Sequence, residues 1–339
     1  MRMDRRDMLF SAGGAAVGLA LGLTRAAAAQ PAAPAGPVPP APGAFPSPPG
    51  FARLTIGDIE GLVLSDGSYR FPQFQPLFVP EAPRDELRSV MTAGFAPPEF
   101  VPSEVNTLLL RIDGRLVLID TGFGEFENVP GGRLMKSLAE AGVAPASIDA
   151  VVITHAHRDH VWGLARPDGS PAFPNARVYM SRREHEFWTT GEPDLASMRV
   201  PEEWKTLWKQ RTPTVLAAVQ RRVELFAPGD KPLDDRIEFL DTAGHTVGHV
   251  SPLVHGGGES LLVTSDLVHN HVFSLARPRW TTGFDWDTTR CVEARLRTLD
   301  RVASERLRVL AYHLPWPGVG YIARDGVERY RWHQDRWQW

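Results

Sequence analysis

The sequence is poor in cysteine and has no excess of basic charge. Cys291 is the only cysteine among 339 residues, which excludes an internal disulfide framework and a cysteine-rich metal site. Lys and Arg number 37 against 40 Asp and Glu, so the chain lacks the basic surface that contacts with a phosphate backbone require. Nucleic acid is therefore not an expected partner, and eleven histidines remain as the obvious metal ligands.

The N-terminus has the pattern of an export signal. Basic residues within 2–6 precede an apolar segment over 8–23, and residues 26–29 offer Ala-x-Ala cleavage sites. The apolar segment is short and rich in Gly and Ala for a span of about 20 residues, so no stable membrane insertion is expected after cleavage. The pair Arg5-Arg6 resembles a twin-arginine signal and predicts a periplasmic or secreted protein. A Sec signal or an uncleaved anchor is the alternative.

Proline separates this signal peptide from a single predicted domain. Nine of the twenty residues 31–50 are proline, a composition typical of a semi-extended tether with nothing to bury. No comparable break follows. We therefore predict a signal peptide over residues 1–29, a flexible linker over 30–50 and one domain over 51–339.

Alternating strand and helix patterns predict an α/β fold with helices outside sheets. The turn Asp113-Gly114 indicates a hairpin, and a second hairpin surrounds Asp325-Gly326. The predicted helices begin near residues 132, 181 and 288, the second with Ser181 and Glu184 as a capping box. Short apolar strands are predicted at residues 151–154, 237–240, 261–264 and 307–311.

Four candidate metal ligands directly follow the first of these strands. His155, His157, Asp159 and His160 lie within six residues, just beyond the carboxyl end of a buried strand. Ligands of α/β proteins gather at this edge of a sheet. We expect His155 and His157 to face one point, and Asp159 and His160 to reach a second point a few ångströms away.

Three later segments repeat the pattern of a strand that leads into a ligand. His245 follows residues 237–240, Asp266 follows 261–264, and His313 follows 307–311. Histidine nitrogen and carboxylate oxygen are the donors that zinc and neighbouring divalent metals take. Two such ions that share one water lower its pKa and supply hydroxide at neutral pH, so no side-chain nucleophile is needed.

These motifs resemble those of the metallo-β-lactamase fold superfamily: HxHxDH at residues 155–160, a downstream Gly-His, a bridging Asp and a final His. A closer similarity, to methyl parathion hydrolase-like and quorum-quenching lactonase-like enzymes, is carried by residues 120–122, 173–176, 186–188 and 313–323. The resemblance implies an αββα sandwich with a two-metal site at the sheet edge. It implies two divalent ions, with zinc expected and iron or manganese as alternatives. It also implies a homodimer.

The resemblance further implies the ligand set and the reaction. His155, His157 and His245 would hold one ion, Asp159, His160 and His313 the other, and Asp266 would bridge them. Asp159 and Asp266 would be catalytic through a hydroxide that bridges the ions and cleaves phosphotriester, aryl ester or lactone bonds. A mononuclear iron dioxygenase of the same fold and a non-catalytic metal-binding protein are the alternatives.

Four further residues are predicted around this centre. Asp120 is expected to orient a ligand histidine, with a turn-capping role as the alternative. Trp188 is predicted to stack on an aryl leaving group, and Phe126 is a weaker candidate for that role. His269 stands three residues after Asp266, where acyl-homoserine lactonases of the superfamily have tyrosine. This departure argues against lactonase activity and leaves open whether His269 donates to the substrate.

Twin-arginine export generates a prediction about metal content, because this route carries cargo that has already folded. Metal can then bind in the cytoplasm, and we expect protein purified from the periplasm to retain it. Elemental analysis of the periplasmic fraction tests this expectation. Metal-free protein in that fraction would contradict it.

Overall fold

The structure is a computed structural model that describes residues 50–126, 129 and 131–336. Its strands are β1 (Phe51–Ile56), β2 (Ile59–Phe71), β3 (Val101–Ile112), β4 (Arg115–Ile119), β5 (Ala150–Ile153), β6 (Arg177–Ser181), β7 (Val223–Phe226), β8 (Pro232–Asp235), β9 (Ile237–Asp241), β10 (Val250–Gly256), β11 (Glu259–Val263), β12 (Arg308–Leu310), β13 (Val319–Arg324) and β14 (Tyr330–Gln334). Its helices are α1 (Arg84–Ala93), α2 (Leu134–Glu140), α3 (Arg158–Val161), α4 (Arg182–Thr189), α5 (Glu202–Val219), α6 (Phe273–Ala276) and α7 (Thr288–Glu305).

Two sheets pack face to face. The first has the order β1-β2-β3-β4-β5-β6-β7 and the second the order β14-β13-β12-β11-β10-β9. Apolar side chains from both inner faces form one cluster, with Leu110 and Val152 from the first sheet and Phe239 and Val263 from the second. Alternation along a strand places the next residues on the outer faces, where helices cover them.

The helices form the two outer layers. Leu138 of α2 and Leu216 of α5 belong to the cluster on the outer face of the first sheet. Leu299 of α7 belongs to the cluster that covers the second. The predicted αββα sandwich is therefore confirmed, and the described residues from Gly50 onward belong to one compact unit.

The strand directions bring the predicted ligands to one edge. Strands β4 to β7 run parallel, so the loops that follow them leave from the same edge of the first sheet. Strands β11 and β12 are also parallel, and the loops after them carry Asp266 and His313. These crossovers explain why ligands that are distant in sequence lie close together in the fold.

The structure differs from the sequence prediction at two helices. Helix α4 begins at Arg182 as expected, but Ser181 makes no side-chain capping bond, and Glu184 turns inward instead. Helix α5 was not predicted, because it begins after Pro201, contains Pro213 and lacks a marked apolar face.

Some predictions fall beyond the described residues. The signal peptide over 1–29 and the linker over 30–50, apart from Gly50, lie outside them. Within the described residues, every helix is too short or too polar to cross a bilayer.

A buried carboxylate near the site edge fixes several loops at once. Asp66 is fully buried and accepts hydrogen bonds from the backbone N–H groups of Phe123, Gly132 and Leu134, at 2.9, 2.9 and 2.8 Å. It thus joins β2 to the loop after β4 and to the start of α2. Three buried donors would lose their acceptor without this side chain.

We expect Asp66→Ala to lower the free energy of unfolding by at least about 3 kcal/mol, because each orphaned buried donor costs about 1 kcal/mol or more. Urea denaturation at a fixed zinc concentration measures the change. Asp58→Ala is the control, because Asp58 is exposed and its ion pair among the described residues is with Arg236 on the surface; its effect should stay below about 1 kcal/mol. Equal effects of the two variants would contradict the assigned role.

Candidate metal centre

One group of four potential ligands gathers at the edge of the sandwich. His155 and His157 follow β5, His245 follows β9, and Asp266 follows β11. All four side chains are buried, and their ligand atoms lie within 4.8 Å of one another. His245 Nε2 is 2.9 Å from His157 Nδ1.

A second group adjoins the first. Asp159 and His160 lie in the short helix α3, and His313 follows β12. His313 Nε2 is 3.4 Å from Asp159 Oδ2, and His160 Nε2 is 3.9 Å from the same oxygen. The structure thus brings all seven predicted ligands together in two groups.

Asp266 faces both groups. Its Oδ2 is 3.3 Å from His245 Nε2 and 3.7 Å from His155 Nε2. Its Oδ1 is 3.1 Å from His160 Nε2 and 3.3 Å from His313 Nε2. His313 Nε2 is also 3.3 Å from Oδ2, so the carboxylate as a whole lies between the two groups, as a bridging ligand requires.

Divalent ions fit this donor set. Two ligand atoms that each lie about 2.1 Å from a tetrahedral zinc ion are about 3.4 Å apart, and the separations around Asp266 range from 3.1 to 3.7 Å. His155 Nε2, His160 Nε2 and Asp266 Oδ1 are buried without a hydrogen-bond partner. Buried polar atoms are normally satisfied, so these three have the character of unused metal ligands.

Asp120 orients His160. Its Oδ2 is 2.8 Å from His160 Nδ1, and it also accepts bonds from the backbone N–H and hydroxyl of Thr154, both at 2.8 Å. A ligand histidine commonly donates its other ring N–H to a carboxylate in this way. The position of Asp120 agrees with the expectation that it orients a histidine.

Asp285 holds His245 in the same manner. Its Oδ1 is 2.8 Å from His245 Nδ1 and also accepts a bond from the Cys291 thiol at 3.3 Å. Sequence reasoning missed Asp285, because it lies 40 residues from His245 and in no recognisable motif. Cys291 is buried in α7.

Hydrogen bonds also hold two more predicted ligands, His313 and Asp266. His313 Nδ1 lies 2.8 Å from the Glu104 carbonyl oxygen, so Nε2 points toward the centre. The backbone N–H of Asp266 donates to His249 Nε2 at 3.3 Å, and His249 Nδ1 lies 2.8 Å from Thr242 Oγ1. His249 therefore makes structural hydrogen bonds.

Glu184 joins the two histidine loops. Its Oε1 accepts from the backbone N–H of Ala156 at 2.9 Å, and its Oε2 accepts from the hydroxyl of Thr246 at 2.7 Å and the N–H of Gly248 at 2.8 Å. Sequence reasoning assigned Glu184 to a capping box and missed its role between the two loops, because the spacing from Ser181 to Glu184 is also typical of a helix start.

Burial and neighbouring charge shift the histidines in opposite directions. Burial lowers the pKa of His155 and His157 well below the usual range, which favours neutral, metal-binding imidazole. Burial also opposes protonation of His245, but bonds to Asp266 and Asp285 outweigh it and raise its pKa to about 9.

A cleft opens onto both groups. Five Phe, Tyr and Trp side chains line it: Phe71, Phe78 and Phe284 lie in mutual contact, Tyr69 lies against Phe71, and Trp208 lies against His157. The other residues that line it are Ser103, His157, Arg158, Asp159, Asp266, His269 and His313. Aromatic walls beside converging polar groups suit a small-molecule site.

Trp188 and Phe126 were predicted to bind the substrate, but neither lines the cleft. Trp188 is buried in the core under α4, where its Nε1 donates to Glu184 Oε1 at 3.3 Å. Phe126 packs against Trp162 and Arg211 instead. His269 does line the cleft, with Nε2 3.4 Å from Asp266 Oδ2 and both ring nitrogens without a hydrogen-bond partner.

Two solved structures share this fold over most of the chain. AidC, a dizinc quorum-quenching lactonase in complex with a product, is 26% identical with a TM-score of 0.79, covering 85% of this chain and 98% of AidC. The hydrolase AbOPH of the beta-lactamase superfamily is 28% identical with a TM-score of 0.77, covering 86% and 100%.

Curated relatives match over shorter stretches. A probable metallo-hydrolase of Methanocaldococcus jannaschii is 26% identical over 135 residues, 40% of this chain and 44% of the relative. The exodeoxyribonuclease WalJ of Streptococcus pneumoniae is 28% identical over 107 residues, 31% and 37%. The chain thus spans less than half the length of these relatives. The family described as the metallo-beta-lactamase superfamily matches residues 101–304, more than half of the sequence, and the chain therefore belongs to this superfamily.

Proposed function

We propose that the protein is a binuclear metal-dependent hydrolase of ester-like bonds: phosphotriesters, aryl esters or lactones. The observation that carries this proposal is the position of the Asp266 carboxylate between the two groups of ligands. A single-metal site has no need for such a shared carboxylate. The complete set of seven ligands therefore supports two ions over the mononuclear dioxygenase alternative.

The ligand assignment follows the two groups. His155, His157 and His245 would hold one ion, and Asp159, His160 and His313 the other. When bound, a pair of divalent ions supplies Lewis acidity and lowers the pKa of water toward neutrality. Zinc is the ion we propose, since the donors are imidazoles and carboxylates.

The chain's own residues then perform orientation and charge control. Asp120 and Asp285 accept the Nδ1 protons of His160 and His245, which leaves each Nε2 lone pair directed at the centre. Asp159 and Asp266 add two negative charges, so the loaded site keeps a net positive charge. That charge suits a substrate that is neutral or mildly anionic.

The cleft supplies substrate binding. Phe71, Phe78 and Phe284 offer apolar surface to an acyl or aryl group and exclude water from it. His269 has two ring nitrogens without a partner beside Asp266. We propose that one of them donates to the oxygen of the scissile group, which offsets the charge that develops there.

One structural neighbour supports an ester-like substrate, and a second supports hydrolysis. AidC is named a dizinc quorum-quenching lactonase, and AbOPH is named a hydrolase. His269 argues against a lactone substrate, because acyl-homoserine lactonases are expected to have tyrosine at this position. A panel of a phosphotriester, an aryl acetate and an acyl-homoserine lactone separates the three substrate classes. Export through a twin-arginine signal, a homodimer and the absence of nucleic-acid partners stay predictions.

Metal analysis separates the proposal from its alternatives. Two zinc ions per chain with turnover of one of these substrates supports the binuclear hydrolase. One iron and no second ion would favour the dioxygenase. A fully loaded protein that is inert toward all three substrates would favour a non-catalytic metal-binding protein.

We expect Asp266→Ala and His245→Ala to lower kcat/KM by at least about 1000-fold, because each removes a ligand on which the charge stabilisation depends. Elemental analysis should show fewer than two ions per chain, and circular dichroism should show a retained fold. His255→Ala is the matched control, since His255 lies in β10 and bonds to Ser260 and not to the centre. Near-normal activity of either ligand variant would disprove the assignment.

We also expect Asp285→Ala to weaken zinc binding by about 10- to 100-fold, because His245 loses the carboxylate that orients it. Asp285→Asn should weaken it less, since an amide oxygen can still accept the Nδ1 proton. Competition with a chromogenic chelator measures both affinities. Zinc affinity unchanged in Asp285→Ala would show that His245 is held by other contacts.

A further inference from the structure

Arg158 carries the positive charge of the cleft wall. It is the first residue of α3, between His157 and Asp159, and it is the one Lys or Arg among the described residues that line the cleft. The two carboxylates that line the cleft, Asp159 and Asp266, belong to the proposed ligand set. The metal assignment therefore leaves the position of Arg158 unexplained.

Aromatic rings, not carboxylates, hold this side chain. The guanidinium carbon of Arg158 lies 4.3 Å from the ring centre of Trp204 and 5.4 Å from that of Phe123. Within the described part of the chain, no Asp or Glu oxygen comes within 4.0 Å of its guanidinium nitrogens. Stacking covers the faces of a guanidinium and leaves the N–H fork in its plane available.

Packing alone does not require the side chain to reach the cleft. Arg211 of α5 shows the comparison, because its guanidinium carbon lies 4.5 Å from the Phe126 ring and 4.8 Å from the Trp162 ring. It too has no carboxylate partner among the described residues, but it does not line the cleft. The two arginines share an aromatic setting and differ in access to the substrate.

We propose that Arg158 binds a carboxylate of the substrate, so that the preferred substrates are esters with a carboxylate group away from the scissile bond. This inference rests on the proposed hydrolase function and narrows its substrate class. A planar N–H fork pairs with carboxylate through two parallel charge-assisted hydrogen bonds. In an aromatic-walled cleft such a pair is screened less than on an open surface.

Two aryl esters of equal shape test the proposal. 4-Acetoxybenzoate carries the carboxylate, and 4-acetoxybenzamide replaces it with a neutral amide while the scissile acetate stays the same. The zinc-loaded wild type should hydrolyse the carboxylate with the higher kcat/KM. In Arg158→Leu, the ratio of kcat/KM for carboxylate over amide should fall at least about tenfold, as expected when a charge-assisted bond is lost.

Two further variants control for charge and packing. Arg211→Leu removes the matched guanidinium outside the cleft and should leave the ratio unchanged. Arg158→Lys keeps the charge without the fork and should restore part of the ratio. Calorimetric titration of the zinc-loaded proteins with benzoate and with benzamide gives a readout without turnover: benzoate should bind more weakly to Arg158→Leu than to wild type, and benzamide equally.

The outcomes separate this inference from the function on which it rests. Hydrolysis of both esters with a ratio that Arg158→Leu leaves unchanged would overturn the role of Arg158 and leave the hydrolase intact. Failure of the wild type to hydrolyse either ester would count against the hydrolase for aryl esters. The benzoate titration then decides the role of Arg158. Equal affinity of wild type and Arg158→Leu for benzoate would disprove that role.

Discussion

The centre depends on buried carboxylates that are not themselves assigned as ligands. Asp66, Asp120, Glu184 and Asp285 have at most 1% of their surface exposed, and each accepts hydrogen bonds from the loop or ring beside it. A buried carboxylate destabilises a fold unless donors surround it. The loops must therefore adopt the arrangement that supplies these donors, and that arrangement also aims the histidines. The buried carboxylates thus determine the geometry of the metal site.

The sequence predicted the parts of the site that short-range geometry determines. His155 to His160 fill the turn after β5, so their spacing alone restricts where the rings point. His245, Asp266 and His313 each follow an apolar strand, and strand ends in a layered α/β fold meet at one edge. The αββα architecture follows from the same alternation of strands and helices. These inferences needed no knowledge of how helices dock on the sheets.

The remaining parts depend on helix docking, which the sequence does not specify. Trp188 and Trp208 both lie on amphipathic or partly apolar helices, yet only Trp208 reaches the cleft. The rotation and position of each helix on the sheet decide which tryptophan is core and which is wall. Asp285 and Glu184 are similar cases, because a buried acceptor is recognised only after its donors are placed around it.

Glu184 has a consequence for how such a centre can be exchanged between proteins. Helix α4 follows β6 of the first sheet, whereas Gly248, which donates to Glu184, belongs to the loop after β9 of the second. A Cβ on Gly248 would lie 2.4 Å from the Glu184 backbone nitrogen, so the two segments also touch closely. A graft of the 244–249 loop into another scaffold would transfer a histidine without the acid that anchors its loop. Helix α4 and the 244–249 loop would therefore have to be transferred together.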